Sequence, residues 1–159
     1  MPKFKMSVTL DQHAEYNTAR IADGTGASNQ LNDVDVGKFV RMKGDSQYGV
    51  CAVGDEIEGI LHSANDVAPH EGFNLGAVRK DGRVRVTLDG LQATPGTGVI
   101  AVGDYVVAGT PVARGTALGG AFPRVCRATA AASALVHKWR VISLDGTTAV
   151  GQTGLIERV

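Results

Sequence analysis

The chain is short of aromatic residues, of net charge and of cysteine, and each shortage weakens a class of function. Eight of the 159 residues are aromatic: one Trp, three Tyr and four Phe, scattered without clustering. Flat aromatic platforms of the kind that stack on sugars are therefore not expected. Lysine plus arginine number 16, and aspartate plus glutamate also number 16. Nucleic-acid binders use a basic face to displace counterions, so this balance argues against such a partner. The two cysteines, Cys51 and Cys126, lie far apart and in no C-x-x-C pattern. They support neither a metal site nor a disulfide framework and read as free, buried, small hydrophobes. No run approaches the roughly 18 apolar residues of a membrane span. Met1-Pro2-Lys3-Phe4-Lys5 opens with positive charge but no apolar stretch follows, so no signal peptide is expected.

Glycine and valine are what the chain has in plenty. Glycine supplies 21 residues, about twice its usual share of roughly 7%. Valine outnumbers leucine twofold. β-branched side chains fit a pleated strand and lose rotamer freedom in a helix. The composition predicts an all-β fold of short strands joined by tight turns, about one domain in length.

Residues 1–33 are polar and aperiodic and read as an extended N-terminal arm. The body, residues 34–159, begins with Val34, Val36 and Phe39–Met42. Further strands are expected at Tyr48–Val53, Glu56–His62, Val99–Val102, Tyr105–Ala108, Pro111–Ala113, Arg124–Ala128 and His137–Leu144. Leu155–Val159 reads as a terminal strand, and residues 130–135 as the one short helix. Asp81-Gly82 between two alternating runs predicts a hairpin with a type I′ turn. Its register would place Leu75, Ala77, Arg79, Val84, Val86 and Leu88 on the core face. Gly76, Val78, Lys80, Arg83, Arg85 and Thr87 would lie on the other. Asp145-Gly146 predicts a second hairpin.

A heptapeptide recurs. Gly49-Val50-Cys51-Ala52-Val53-Gly54-Asp55 returns as Gly98-Val99-Ile100-Ala101-Val102-Gly103-Asp104, and Ala149-Val150-Gly151 is a fainter echo. Only this stretch matches, so it reads as one tight turn used twice in a single β-domain rather than as a tandem repeat. Asp104, like Asp55, is expected to bond turn amides.

Candidate chemistry is thin. His13, His62, His70 and His137 show no zinc-pair spacing and read as surface histidines. There is no G-x-S-x-G elbow and no Walker A sequence. Gly24-Thr25-Gly26 lacks the third glycine of a dinucleotide loop. Glu56 and Glu58 could share a strand face as paired carboxylates, although charged residues beside a turn are commonly just solvated. Trp139 in an alternating strand reads as core. The basic face of Lys80, Arg83 and Arg85 could meet an acidic patch on a partner, with Tyr16 and Arg20 of the arm as further contacts. No catalytic residue, cofactor or metal is expected.

Several stretches resemble decoration (cement) proteins on the heads of tailed double-stranded-DNA bacteriophages. They are Gly44-Asp45 with Gly49–Gly59, Asp89–Gly98, Val102–Val107 and Trp139–Leu144. The likeness covers most of residues 34–159 and is carried by turn-and-strand motifs. It implies a barrel or β-tulip body, commonly trimeric and less often dimeric. It also implies a major capsid protein of the HK97 type as partner. The expected function is non-enzymatic: stabilising the expanded head from its outer surface by bridging neighbouring subunits. Synthesis would be in the host cytoplasm, with no nucleic acid or membrane involved. The alternative is a β-sandwich module that binds carbohydrate or a receptor.

Overall fold

A computed structural model of the chain describes residues 16–21, 31, 33–43, 47–64, 74–89, 99–112, 122–128, 134–146 and 151–159. These residues form ten strands and a 3-10 turn at Asp33–Asp35. The first barrel contains β1 (Tyr16–Ile21), β2 (Phe39–Lys43), β3 (Gln47–Val50), β4 (Gly59–Ala64) and β5 (Asn74–Arg79). The second contains β6 (Arg83–Leu88), β7 (Tyr105–Ala108), β8 (Arg124–Arg127), β9 (Trp139–Leu144) and β10 (Thr153–Arg158). Both sheets close. The all-β class is as the valine and glycine content predicts, and the compact barrel that the resemblance implied is built twice.

The two barrels share one ladder. In each, the first strand pairs parallel to the third and antiparallel to the fifth. The second pairs with the third and fourth, and the fourth with the fifth, all antiparallel. Registers agree residue by residue. Arg20 opposite Gln47 matches Thr87 opposite Arg124, and Val40 opposite Gly59 matches Val106 opposite Trp139. A β-bulge falls at the same place in both, after Leu61 and after Val141. At each bulge a glycine faces a serine carbonyl. A Cβ on Gly76 would come within 2.5 Å of the Ser63 oxygen, and one on Gly154 within 2.9 Å of the Ser143 oxygen. Only glycine fits there without displacement.

The chain therefore contains a structural tandem repeat, which was not expected, while the heptapeptide is one tight turn used twice, as expected. The matching positions are not those of the heptapeptide. Gly37 corresponds to Gly103: Gly37 and Lys38 bond Leu61 of β4, as Gly103 and Asp104 bond Val141 of β9. Gly54 has a different part. It carries the connection out of the first barrel, and Gly54 and Asp55 bond Ala108 of β7 at 2.8 and 2.9 Å.

Asp81-Gly82 does turn the chain, and Gly82 takes a positive φ of 88°. It does not make a hairpin. β5 pairs with β1 and β4, and β6 with β8 and β10, so the turn joins one barrel to the other. This overturns the expected face of β5. Gly76 and Val78 point inward, whereas Leu75 is exposed and Ala77 and Arg79 are partly so. The face of β6 is as expected, with Val84, Val86 and Leu88 buried. Without cross-strand pairing nothing couples the registers of the two runs, and each barrel chooses its own inward face.

The expected arm gives up residues 16–21 to the first barrel as β1, and Ile21 and Leu31 are buried in its core. Residues 1–15 lie outside the described residues, as does most of the expected helix. Val99–Val102 and Glu56–Glu58 are connections, not strands.

The interior divides unequally. Ile21, Leu31, Val40, Tyr48, Leu61 and Val78 fill the first barrel. A larger cluster fills the second around Trp139 and takes in Phe39, Cys51, Ile57 and Ile60 from the first. The Trp139 indole N–H donates to the Ile57 carbonyl at 3.0 Å, and Glu56 Oε1 accepts the His137 N–H at 2.6 Å. The barrels are thus joined by backbone, by side chains and by a shared core.

Candidate functional site

Two turn tips form the site that the repeated heptapeptide builds. In each, an alanine carbonyl accepts from the aspartate N–H three residues on, at 3.1 Å for both Ala52–Asp55 and Ala101–Asp104. Gly54 (φ 86°) and Gly103 (φ 95°) hold the third position, the type II arrangement that favours glycine. The aspartate closes the loop as its side chain type allows. Asp55 Oδ2 accepts the Ala52 N–H at 2.8 Å, and Asp104 Oδ2 accepts the Ala101 N–H at 3.0 Å. Each carboxylate also meets a guanidinium: Arg41 at 3.0 Å and Arg127 at 3.2 Å. Lys43 adds a second cation to Asp55 at 3.6 Å.

The residue before each alanine is buried: Cys51 in the first turn and Ile100 in the second. The next two face solvent, Ala52-Val53 and Ala101-Val102. Val53 is 40% exposed, Val102 59% and the adjacent Val99 56%. Exposed valine on an over-determined turn is a fixed apolar projection, the kind of feature a protein partner can cover with little ordering cost. The heptapeptide carried this signal in the sequence. Exposure was not legible there, because Val reads as strand interior.

Three of the expected interface residues, Lys80, Arg83 and Arg85, lie elsewhere and carry their own partners. Arg83 pairs with Glu157 at 3.3 Å. Arg85 pairs with Asp145 at 3.3 Å and sits 5.8 Å from the Phe122 ring centre. Both remain solvent-exposed. Lys80 is drawn inward, with Nζ 3.2 Å from Glu58 and 5.4 Å from the Tyr48 ring centre. Tyr16 and Arg20 sit on β1 opposite Arg79 and Leu75; their side chains lie outside the described residues.

Glu56 and Glu58 do not form a carboxylate pair. Glu56 is committed to the His137 N–H. Glu58 is buried and accepts from the Tyr48 hydroxyl, from Lys80 and, at 3.0 Å, from the Met42 N–H. Burial alone would raise its carboxyl, but these three donors outweigh it and hold the group below the ordinary range. Burial and the Glu58 bond push Tyr48 up, so its hydroxyl stays a donor. Lys80 is raised, first by its contact with Tyr48 and further by Glu58, against its own burial. The trio is a satisfied polar pin inside the first barrel.

Both cysteines are free and buried, as their spacing suggested. Burial pushes Cys51 up to about 12 and Cys126 up to about 11, so neither thiol is poised as a nucleophile. His137 Nδ1 accepts from Arg158 at 2.7 Å, since a guanidinium can only donate. His62 is exposed on the β4 bulge, and His13 and His70 lie outside the described residues. Among the described residues no three His, Cys, Asp or Glu converge on a metal-sized site. A shallow groove between the barrels is lined by Lys38, Phe39, Cys51, Ala108, Pro111 and Arg124 and offers about 10 Å³, the room of a single water and far less than a small molecule needs. Comparison with protein-family models, with curated proteins and with solved structures found no match to this chain.

Proposed function

We propose that the chain is a non-catalytic structural protein that binds a repeated protein surface, in the manner of a capsid decoration protein. The observation that supports this best is the fused pair of barrels with a clamped apolar tip on each heptapeptide turn, Val53 and Val102. Two rigid projections on one body suit a task of bridging, because the second contact becomes intramolecular once the first is made. In this reading the partner is the major capsid protein on the outer surface of an expanded phage head. The protein acts there as a homo-oligomer, a trimer in preference to a dimer, and is made in the bacterial cytoplasm. The charge balance and the internally paired Arg83 and Arg85 fit an apolar contact better than an electrostatic one.

The test is to sediment purified protein with undecorated expanded heads. Wild type co-sediments at micromolar concentration. Val53→Asp and Val102→Asp, both at exposed positions, each lose about tenfold or more in affinity while melting like wild type. Failure of wild type to co-sediment overturns the capsid partner. Full binding by both variants overturns the turn tips as the contact.

A further inference from the structure

The correspondence of the two barrels points to a place where a second copy of the chain docks. The connection from the third to the fourth strand behaves differently in the two halves. In the first barrel it is residues 51–58, which reach across to the second. Gly54 and Asp55 extend the edge of β7 at Ala108, and Ile57 is buried against Trp139's barrel. Ala108 is 1% exposed as a result.

The same connection in the second barrel is residues 128–138. Among the described residues there is no third barrel for it to reach. After Ala128 its described part resumes with Ala134, Leu135 and Val136, and Val136 at 79% is the most exposed of the large hydrophobic residues described. The receiving position has a counterpart too. β2 and β7 correspond through Val40 and Val106, which face Gly59 and Trp139 alike. Ala108 therefore corresponds to Met42, which is 50% exposed on the first barrel.

We propose that the chain associates head to tail, with the Ala134–Val136 end of one molecule seated on the Met42 edge of the next. The junction inside the chain is the template: a connection from one barrel covers the end of the second strand of the other. One difference sets the strength. The Met42 N–H already donates to Glu58, whereas the Ala108 N–H donates to the docked connection. The contact between molecules is consequently made by apolar side chains without added strand pairing. It is weaker than the internal junction and depends on concentration. A head-to-tail contact is heterologous, so it closes into a ring or continues as a chain according to the rotation between copies. The inference bears on the oligomer in the preceding reading and is independent of the capsid partner.

Sedimentation velocity of the full chain alone, from micromolar to near-millimolar concentration, tests it. Wild type should associate progressively. Met42→Asp and Val136→Asp should each weaken association at least tenfold, with unchanged circular dichroism; Met42→Lys serves if the aspartate variant misfolds. An equimolar mixture of the Met42 and Val136 variants keeps one intact pair of surfaces and should regain a one-to-one dimer that grows no further. A monomeric wild type, a variant that associates normally, or a mixture that regains nothing overturns the proposal. Because no heads are present, its failure is separate from failure of the capsid reading.

Discussion

The two barrels have the same ladder and different fillings. The second is packed around Trp139 with Val84, Val86, Leu88, Val106, Val125, Val141 and Ile156. The first holds six buried hydrophobics of its own and a polar pin of Tyr48, Glu58 and Lys80. The position of Tyr48 in one barrel is Val125 in the other, since these residues face Ile21 and Leu88 alike. Five positions keep their residue: Val36, Gly37, Val40, Ser63 and Gly76 match Val102, Gly103, Val106, Ser143 and Gly154. Four of those five sit at a positive-φ turn or a bulge crossing, or supply the carbonyl there. The comparison teaches that backbone geometry fixes this topology, while the interior tolerates either an apolar or a satisfied polar solution.

Removing Trp139 should separate the barrels most sharply. Trp139→Ala empties the second core and drops the bond to Ile57, at a cost of about 3–5 kcal/mol in urea unfolding. Equal destabilisation by Trp139→Phe would show that the bond to Ile57, not the filling, holds the halves together.

Glu58→Gln attacks the polar pin of the first barrel and should cost about 2 kcal/mol at neutral pH. The pH dependence follows from the lowered carboxyl. An unfolded Glu titrates near ~4.3, so the stability Glu58 adds is complete above that value and is lost as pH falls through the lower folded value. The raised Lys80 adds stability that is complete below ~10.4 and is lost as pH rises through its higher folded value. Melting temperature against pH should fall less steeply in acid for the Gln variant than for wild type. Equal slopes would place the acid sensitivity elsewhere.

Gly76→Ala and Gly154→Ala test whether the bulges are equivalent. Both should destabilise by about 1–3 kcal/mol, Gly76 more, because its Cβ would also come within 2.8 Å of Ile21. The reverse order in thermal melts would break the correspondence. Asp55→Ala and Asp104→Ala should have the smallest effects, about 1 kcal/mol each. Asp55 should be the larger, since it faces two cations and lies on the junction to Ala108.

Much of the fold was legible in the sequence, and the misses share a cause. Alternation placed β6 with its inward face and β9 as a strand with Trp139 in the core, and glycine with aspartate placed the turns. Pairing was not legible. Asp81-Gly82 announces a turn but says nothing of which strands will bond across it, and the face of β5 was lost with that assumption. The tandem repeat was hidden because so few positions must keep their residue, while the heptapeptide marks turns with different neighbours. At the candidate site the turn chemistry of Asp55 and Asp104 was readable. The outward valines were not, since exposure depends on what the rest of the chain covers. Lys80 read as surface because its acceptor, Glu58, lies 22 residues away in sequence.

The crossing of residues 51–58 from one barrel into the other has a mechanical consequence. A force applied at either end meets no pliable joint, because β-type bonding at Ala108 bridges the boundary in parallel with the Asp81-Gly82 linkage. Heating should accordingly melt both halves in one calorimetric peak, and a pulling experiment should record a single rupture, not two steps.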